Sequence, residues 1–491
     1  MAGKGSVDMK QKLLTLFLLT YMGAALFAQT PRYPRGAIFD EAAYSRLPQK
    51  APLATRSYEG LPRAFSLKAY APLPGDQTEY GTCVAWASAY AARTISESFA
   101  LGRKSQSETT QSVFSPVYVY RNIRPDDPEC QQGAQIFSAL DLMKERGAVK
   151  MLDVERTVDF PRVDISLYTD SRKYPIADYV TLFNKDDRYK PGLVTRIVKK
   201  SLSEGKPVII GMNTPESFME AKDLWQPVEN PQRFYGGHAM CVVGYDDTRG
   251  GGAFEIINSW GRKWGNGGFM WIPYQAFVDY VMESYEMIEN LAVYSDTVKF
   301  AGSVRLEITK NPGETVGQGA AAGQPRTAPL AFTGGGVYKT SEAFAEGTEF
   351  RFAAGSGESA YVYALAVSEE RAGIFSPVHQ LFPQSGESAL LNYRDSTVII
   401  PGENKSLVLD GSSGMEYLIL LYAKEALNVR NITRRFESAK GTVNERLATA
   451  TEGRLLSAGP AQDAPAGTAA FALESKDSKA IAALIVAIEH K

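Results

Sequence analysis

Histidine and cysteine are scarce in this 491-residue chain: three of each, His238, His379 and His490, and Cys83, Cys130 and Cys241. The histidines stand far apart without ligand-like spacing, so neither a metal nor any other cofactor is expected. An odd number of cysteines leaves at least one thiol free or paired outside the chain, and a free thiol kept in an oxidising compartment invites a chemical explanation. Charge of one sign is lacking as well. With 53 Lys and Arg against 55 Asp and Glu and no long run of either, there is no electrostatic footprint for nucleic acid or anionic lipid. Long apolar runs are missing too: Leu13 to Phe27 falls short of the about 20 residues a membrane span needs. Ala480 to Ile488 reads as a buried strand closing a domain, so no membrane span is expected and the mature protein should be soluble.

What is present divides the chain. Lys4, Lys10 and Lys12 ahead of the apolar stretch, with the small residue Ala28 after it, read as an export signal over 1–28. The expected location is the periplasm, the cell surface or the medium. Residues 29–60, rich in Pro, Arg and Ala without periodicity, read as an extended lead-in or short pro-segment. From 61 to 298 helical and strand patterns alternate, as in an α+β domain. One long helix is predicted from Thr82, with Ala87, Ala91, Ile95 and Phe99 on one face and Gly102 as its stop. Another carries Val194, Ile197, Val198 and Leu202 and feeds the strand Pro207 to Met212. Strands follow at about 238–245, 253–258 and 268–272. Residues 299–491 read as a separate all-β, sandwich-like domain of short strands, with loops near 311–336 and 457–468.

Cys83 is the residue to weigh first. It sits just inside a predicted helix start, where free backbone amides and the macrodipole favour a thiolate. Alone, a cysteine on an alanine-rich helix is more often packing. His238 taken alone is a satisfied strand histidine, Asn258 a turn former, and Trp260 and Trp264 ordinary core.

Together they follow a known pattern. Asp76-Gln77-Thr78-Glu79-Tyr80-Gly81-Thr82-Cys83-Val84-Ala85-Trp86-Ala87 resembles the nucleophile segment of papain and the cathepsins, with a glutamine six positions before the cysteine. Gly236-Gly237-His238-Ala239-Met240, then Val242-Val243-Gly244-Tyr245, resembles their histidine segment. Ile257-Asn258-Ser259-Trp260-Gly261-Arg262-Lys263-Trp264-Gly265 resembles their asparagine segment, and the blocks keep the family's order and approximate spacing. The resemblance, over about 61–290, implies a two-lobed papain-like cysteine peptidase of bacterial type acting on peptides or proteins.

In that reading Cys83 is the nucleophile, His238 its proton partner and Asn258 the group that orients the imidazole. Gln77 and the Cys83 N–H form the oxyanion hole. Trp260 shields the histidine hydrogen bond and Trp264 resembles an aromatic wall on the leaving-group side. Gly133, Gly237 and Ala239 match positions bordering the acyl side of the cleft. Tyr80 stands where the family has a cysteine, which leaves Cys130 without its usual partner; two buried free thiols at Cys130 and Cys241 are the expectation, with a Cys130–Cys241 bond as the alternative. Val84 replaces the usual aromatic residue, while Trp86 supplies an indole two positions later. The lead-in is shorter than the family's helical propeptide, and residues 31–60 are expected as an extended plug in the cleft, with Arg56 as a cut point. The β-rich half weakly resembles a bacterial domain of unknown function through Ala360 to Leu365, Leu381-Phe382-Pro383, Ile400-Pro401-Gly402 and Tyr417 to Ala423. It is a candidate for docking a protein partner. Two alternatives stay open on the same residues: a catalytically silent binding protein, and an acyl transferase.

Overall fold

The computed structural model describes residues 33–153, 160–290, 296–312, 325–392, 397–411, 413–456 and 458–491. The expected export signal and residues 29–32 of the lead-in lie outside them. The predicted long helix is a continuous rod of three stretches, Cys83–Ala85, Trp86–Arg93 and Thr94–Ala100. Its middle stretch is π-helical, a widened form often found at functional sites. Every residue of that stretch is buried, because small alanines let neighbours approach from all sides. Arg93 is carried inside with it and donates through Nη1 to both carboxylate oxygens of Glu289, at 2.6 and 2.7 Å.

The rod packs on a seven-stranded antiparallel sheet. Its order is Asp178–Thr181, Val281–Ile288, Val208–Asn213, Gly237–Asp246, Ala253–Ile257 and Phe269–Pro273, with Ala64–Ser66 paired to Gly237–Asp246. Val208–Asn213 is central and buried at every position, which is why it reads as an apolar run and not as an alternation. The neighbouring strand Gly237–Asp246 brings His238 opposite Met212 and lies against the helix that begins at Cys83.

The β-rich half is a sandwich of two sheets, and its principal strands are longer than the sequence suggests. One sheet runs Leu330–Gly334, Val337–Phe344, Ile481–His490, Gly414–Ala423, Ala360–Arg371 and Ile374–Phe375; the other runs Thr397–Ile400, Glu349–Ser356, Val298–Lys310 and Thr468–Ser475. Ile481–His490 is apolar nearly throughout because both its faces are covered. Ala482, Leu484, Val486 and Ile488 meet Phe300, Leu306 and Phe352 between the sheets. Ile481, Ala483 and Ile485 face a layer built from the helices Val429–Ser438 and Val443–Ala450. That helical pair, and the strands Arg326–Thr327 and Leu330–Gly334 inside the expected loop at 311–336, are additions to the sequence reading.

The lead-in joins the two halves. Gln49 exchanges backbone hydrogen bonds with the β-rich half (Gln49 N–H to Gly386 O, 2.9 Å; Ser388 N–H to Gln49 O, 2.8 Å). Lys50 N–H donates to Thr181 O in the first domain at 2.8 Å. Ala51 enters the sandwich core, and Ala54 packs with Ala353 and Ile399. Arg56, expected as a cut point in the cleft, instead stands in the turn Thr55–Tyr58 with its guanidinium 3.3 Å from Glu307. The physical reason is that Ala51 and Ala54 hold this stretch on apolar surface of the β-rich half. Lys50 Nζ lies 2.6 Å from Glu286, both side chains buried, and Asn392 adds a 2.7 Å bond to the same carboxylate. Burial pushes the Glu286 carboxyl upward, but the Lys50 and Lys206 ammonium groups prevail and hold it down to about 2. Lys50→Ala removes the nearest cation from a buried carboxylate and is expected to cost about 3 kcal/mol. The urea unfolding midpoint reads this; an unchanged midpoint would contradict the pairing.

Candidate active site

Cys83 opens the buried rod, where first-turn amides lack helical partners. The N–H groups of Cys83, Val84, Ala239 and Gly36 are directed at its sulfur. Thr82 occupies the N-cap position, but its hydroxyl makes no capping bond. Ala239 is the residue after His238, so the strand Gly237–Asp246 sets the imidazole beside the helix start.

His238 Nε2 lies 2.7 Å from Asn258 Oδ1. That oxygen also accepts the Ser259 N–H at 2.7 Å, which fixes how the amide is turned. The atom facing the ring is an acceptor, so Nε2 carries the proton. Nδ1 is then a bare lone pair, buried and without a hydrogen bond, including to Cys83 Sγ. Trp260 stacks on the imidazole with ring centroids 4.3 Å apart. Gln77 is buried; its Oε1 accepts from Ser259 Oγ at 2.6 Å, and its Nε2 donates to Tyr80 O at 2.7 Å and Pro34 O at 3.4 Å.

The cleft is filled by the chain's own residues 33–39. Tyr33 stacks on the Trp260 indole at 4.7 Å, and Pro34 O accepts from Trp260 Nε1 at 3.2 Å. Gly36 O accepts from Ala134 N–H at 2.8 Å, Ala37 N–H donates to Gly237 O at 3.0 Å, and Ile38 N–H donates to Ala134 O at 2.9 Å. Phe39 lies on Gly211 beside Ile136. The fit leaves no room for side chains at the contact: a Cβ on Gly36 would sit 2.1 Å from Gly81 O, and one on Gly237 2.0 Å from Ala37 O. A cavity of about 630 Å³ lies elsewhere, lined by Tyr44, Lys185 and Glu283 among others.

Residues 74–289 match the profile described as "Papain family cysteine protease". This segment belongs to the papain family. The chain is 26% identical over 262 residues, 49% of its length, to an uncharacterized peptidase C1-like protein of Acanthamoeba polyphaga mimivirus, of which it covers 78%. Among solved structures it is similar to xylellain, a cysteine protease from Xylella fastidiosa, at 21% identity and a TM-score of 0.41, covering 54% of this chain and 99% of that one. It is also similar to procathepsin B S9 from Trypanosoma congolense, at 16% identity and a TM-score of 0.41, covering 58% and 100%.

In this papain-like cysteine peptidase the covered cleft controls the protonation of the pair. Burial pushes the Cys83 thiol up to about 11, against its surrounding amides. Burial also takes the His238 imidazole down to about 3; the Asn258 bond opposes this, and the Arg35 cation adds to it. With residues 33–39 in place both groups are neutral at neutral pH, and a thiolate–imidazolium pair requires water or substrate in the cleft. Between pH 6.5, the ordinary histidine value, and 3 the covered state binds fewer protons than an open one, so it loses stability as pH falls. By pH 5 the loss is at most about 2 kcal/mol, the value for an open state that restores the ordinary histidine pKa in full. The ordinary thiol value of 9.0 gives the mirror effect: closure weakens again from pH 9 towards 11. Hydrogen exchange at Ala37 and Ile38, corrected for intrinsic rates, is expected to quicken at pH 5 relative to 7.5; equal protection would contradict the linkage.

The fold brings Cys83, His238, Asn258, Gln77, Gly237, Ala239 and Trp260 to one cleft, with Gly133 at its rim against Gly36. Trp264, expected as an aromatic wall, is buried behind Trp260, edge-on at 5.2 Å, with its indole N–H bonded to Met219 O at 3.0 Å. The indole that meets the lead-in is that of Trp260, because two consecutive turns through Gly261 and Gly265 fold Trp264 inward. All three cysteines are free and buried. Among the described residues, no group of three or more His, Cys, Asp and Glu is placed to hold a metal ion. No helix among them is long and apolar enough to cross a membrane. Sequence reading missed Ala134, which makes two of the backbone bonds to the lead-in, and Gly211, whose place inside an apolar strand was an available sign of close approach.

Proposed function

We propose that this peptidase hydrolyses peptide bonds through Cys83 and His238, in an exported protein whose own residues 33–39 hold it closed. The observation that carries the reading is the fixed Asn258 amide. By placing the proton on Nε2 it leaves Nδ1 as a base beside the cysteine. The thiol proton passes to Nδ1, and the sulfur attacks the scissile carbonyl carbon. Charge gathers on the carbonyl oxygen, for which the Cys83 N–H and Gln77 Nε2 are the donors. The C–N bond breaks as His238 returns its proton to the departing nitrogen. Water, deprotonated by the same ring, then splits the thioester and releases the acid.

The departing nitrogen must lie on the side of His238 and Trp260, so the acyl part lies along Gly133 and Ala134. A substrate therefore runs from Ala134 towards Trp260. The lead-in runs the other way, from Tyr33 on Trp260 to Ile38 on Ala134, and so presents no leaving nitrogen to His238. This supports a plug that is not itself cut in place. Mass spectrometry of a protein substrate in ¹⁸O-water tests the reaction: new carboxyl ends carrying label are expected, and unlabelled products joined to an added amine would favour acyl transfer. Export rests on the charged and apolar N-terminus; a purified native protein beginning after Ala28 supports it, and one beginning at Met1 or Met9 contradicts it. The β-rich half, which grips residues 49–57, is read as the holder of the lead-in, with docking of a protein partner as a further role for its outer surface.

A further inference from the structure

Arg35 is the one charged residue of the plug segment between Trp260 and Cys83, and its guanidinium meets three convergent acceptors. Its Nη1 donates to Thr214 O at 2.7 Å and to Tyr235 O, and its Nη2 to Glu216 Oε1 at 2.6 Å. The guanidinium side chain is 13% exposed there, Glu216 69%. These acceptors are held by the protein and not by Arg35. Buried Asn213 accepts the Tyr235 N–H at 2.8 Å and donates to Arg233 O at 2.7 Å. Thr214 N–H donates to Gly236 O at 2.9 Å. The helix Glu216–Glu220 is pinned by Glu229, which accepts the Ser217 N–H at 2.8 Å and Oγ at 2.5 Å.

We propose that the carbonyls of Thr214 and Tyr235 and the carboxylate of Glu216 form a subsite for a basic substrate side chain on the leaving-group side of the scissile bond. This rests on the peptidase reading above. Pro34 meets Trp260 and Gly36 meets Cys83, so Arg35 lies between them, on the side from which the amine departs. The lead-in's reversed direction does not matter to the side-chain site, which is fixed in the wall next to His238. Three convergent acceptors match the planar fork of an arginine and would leave an acidic side chain facing like charge and unpaired carbonyls.

The full chain carrying Arg35→Ala, whose lead-in no longer supplies a competing cation, is given matched peptides differing only in the first residue after the scissile bond. Arginine is expected to be favoured over glutamine by about fivefold in kcat/KM, a size set by Glu216's exposure. Adding Glu216→Lys should reverse the order and favour the glutamate peptide, a gain that misfolding would not produce. An unchanged arginine-to-glutamine ratio, with turnover retained, overturns the subsite and leaves the peptidase standing. Absence of turnover on every peptide both in the Arg35→Ala chain and in one that also carries Gly36→Val, which lifts the plug, overturns the peptidase reading and the subsite with it.

Discussion

Cys83→Ala is expected to lower kcat/KM for peptide cleavage by about 10⁵-fold, while Cys130→Ala and Cys241→Ala leave it nearly unchanged. The difference follows from place. Cys83 has the amides of a helix start and of Ala239 directed at its sulfur and the imidazole of His238 on the adjacent strand. Cys241 lies on the His238 strand, opposite Ile209 and Ile257, and Cys130 bonds weakly to Pro128 O. Neither stands at a helix start, where free amides would favour a thiolate. His238→Ala should cost nearly as much as Cys83→Ala, and the double variant hardly more than either, because the two groups act as one unit. Comparable losses at all three cysteines would mean that the thiols serve packing and that the chemistry lies elsewhere.

The second large effect runs upward. Gly36→Val in the full chain is expected to raise turnover by about 10- to 100-fold, the open fraction released by an overpacking cost of a few kcal/mol. Its Cβ would meet the Gly81 carbonyl at 2.1 Å, and that carbonyl cannot yield: its own residue donates N–H to Cys130 O at 2.8 Å. The lead-in must lift. This substitution is a cleaner test than deleting residues 29–60, since deletion also removes Gln49, Lys50 and Ala51 from the junction of the two halves. Reduced or equal turnover in a folded Gly36→Val protein would show that residues 33–39 are not what closes the cleft.

The main features of the first domain were legible because local patterns and tertiary demands agree there. The alanine-rich rod, the apolar strand before Met212 and the three blocks around Cys83, His238 and Asn258 each carry their own punctuation. What escaped notice depended on partners distant in the chain. Nothing local marks Ala134 as a backbone partner of Gly36, or Glu216 as a carboxylate facing Arg35. Trp264 lies one turn beyond Trp260, and only the fold decides which indole faces the cleft. The helices Val429–Ser438 and Val443–Ala450 did carry signs: Val429, Ile432 and Phe436 on one face, an Asn428 cap and a Thr442–Glu445 capping box. A run of strand patterns on both sides hid them. The lead-in was read as one plug, yet its two ends have different tasks. Residues 33–39 are extended and carry the glycine that a tight cleft demands, whereas Ala51 and Ala54 are small apolar residues suited to a seam between domains.

One measurement bears on all of this at once: intact-mass analysis of the full Gly36→Val chain treated at pH 7 with a thiol-directed electrophile, followed alongside its peptide turnover. A single adduct located on Cys83, with activity lost in step with labelling and the His238→Ala counterpart labelled far more slowly, is the predicted result. Labelling that favours Cys130 or Cys241, or a chain fully labelled at Cys83 that still cleaves peptide, would contradict the assignment of the nucleophile.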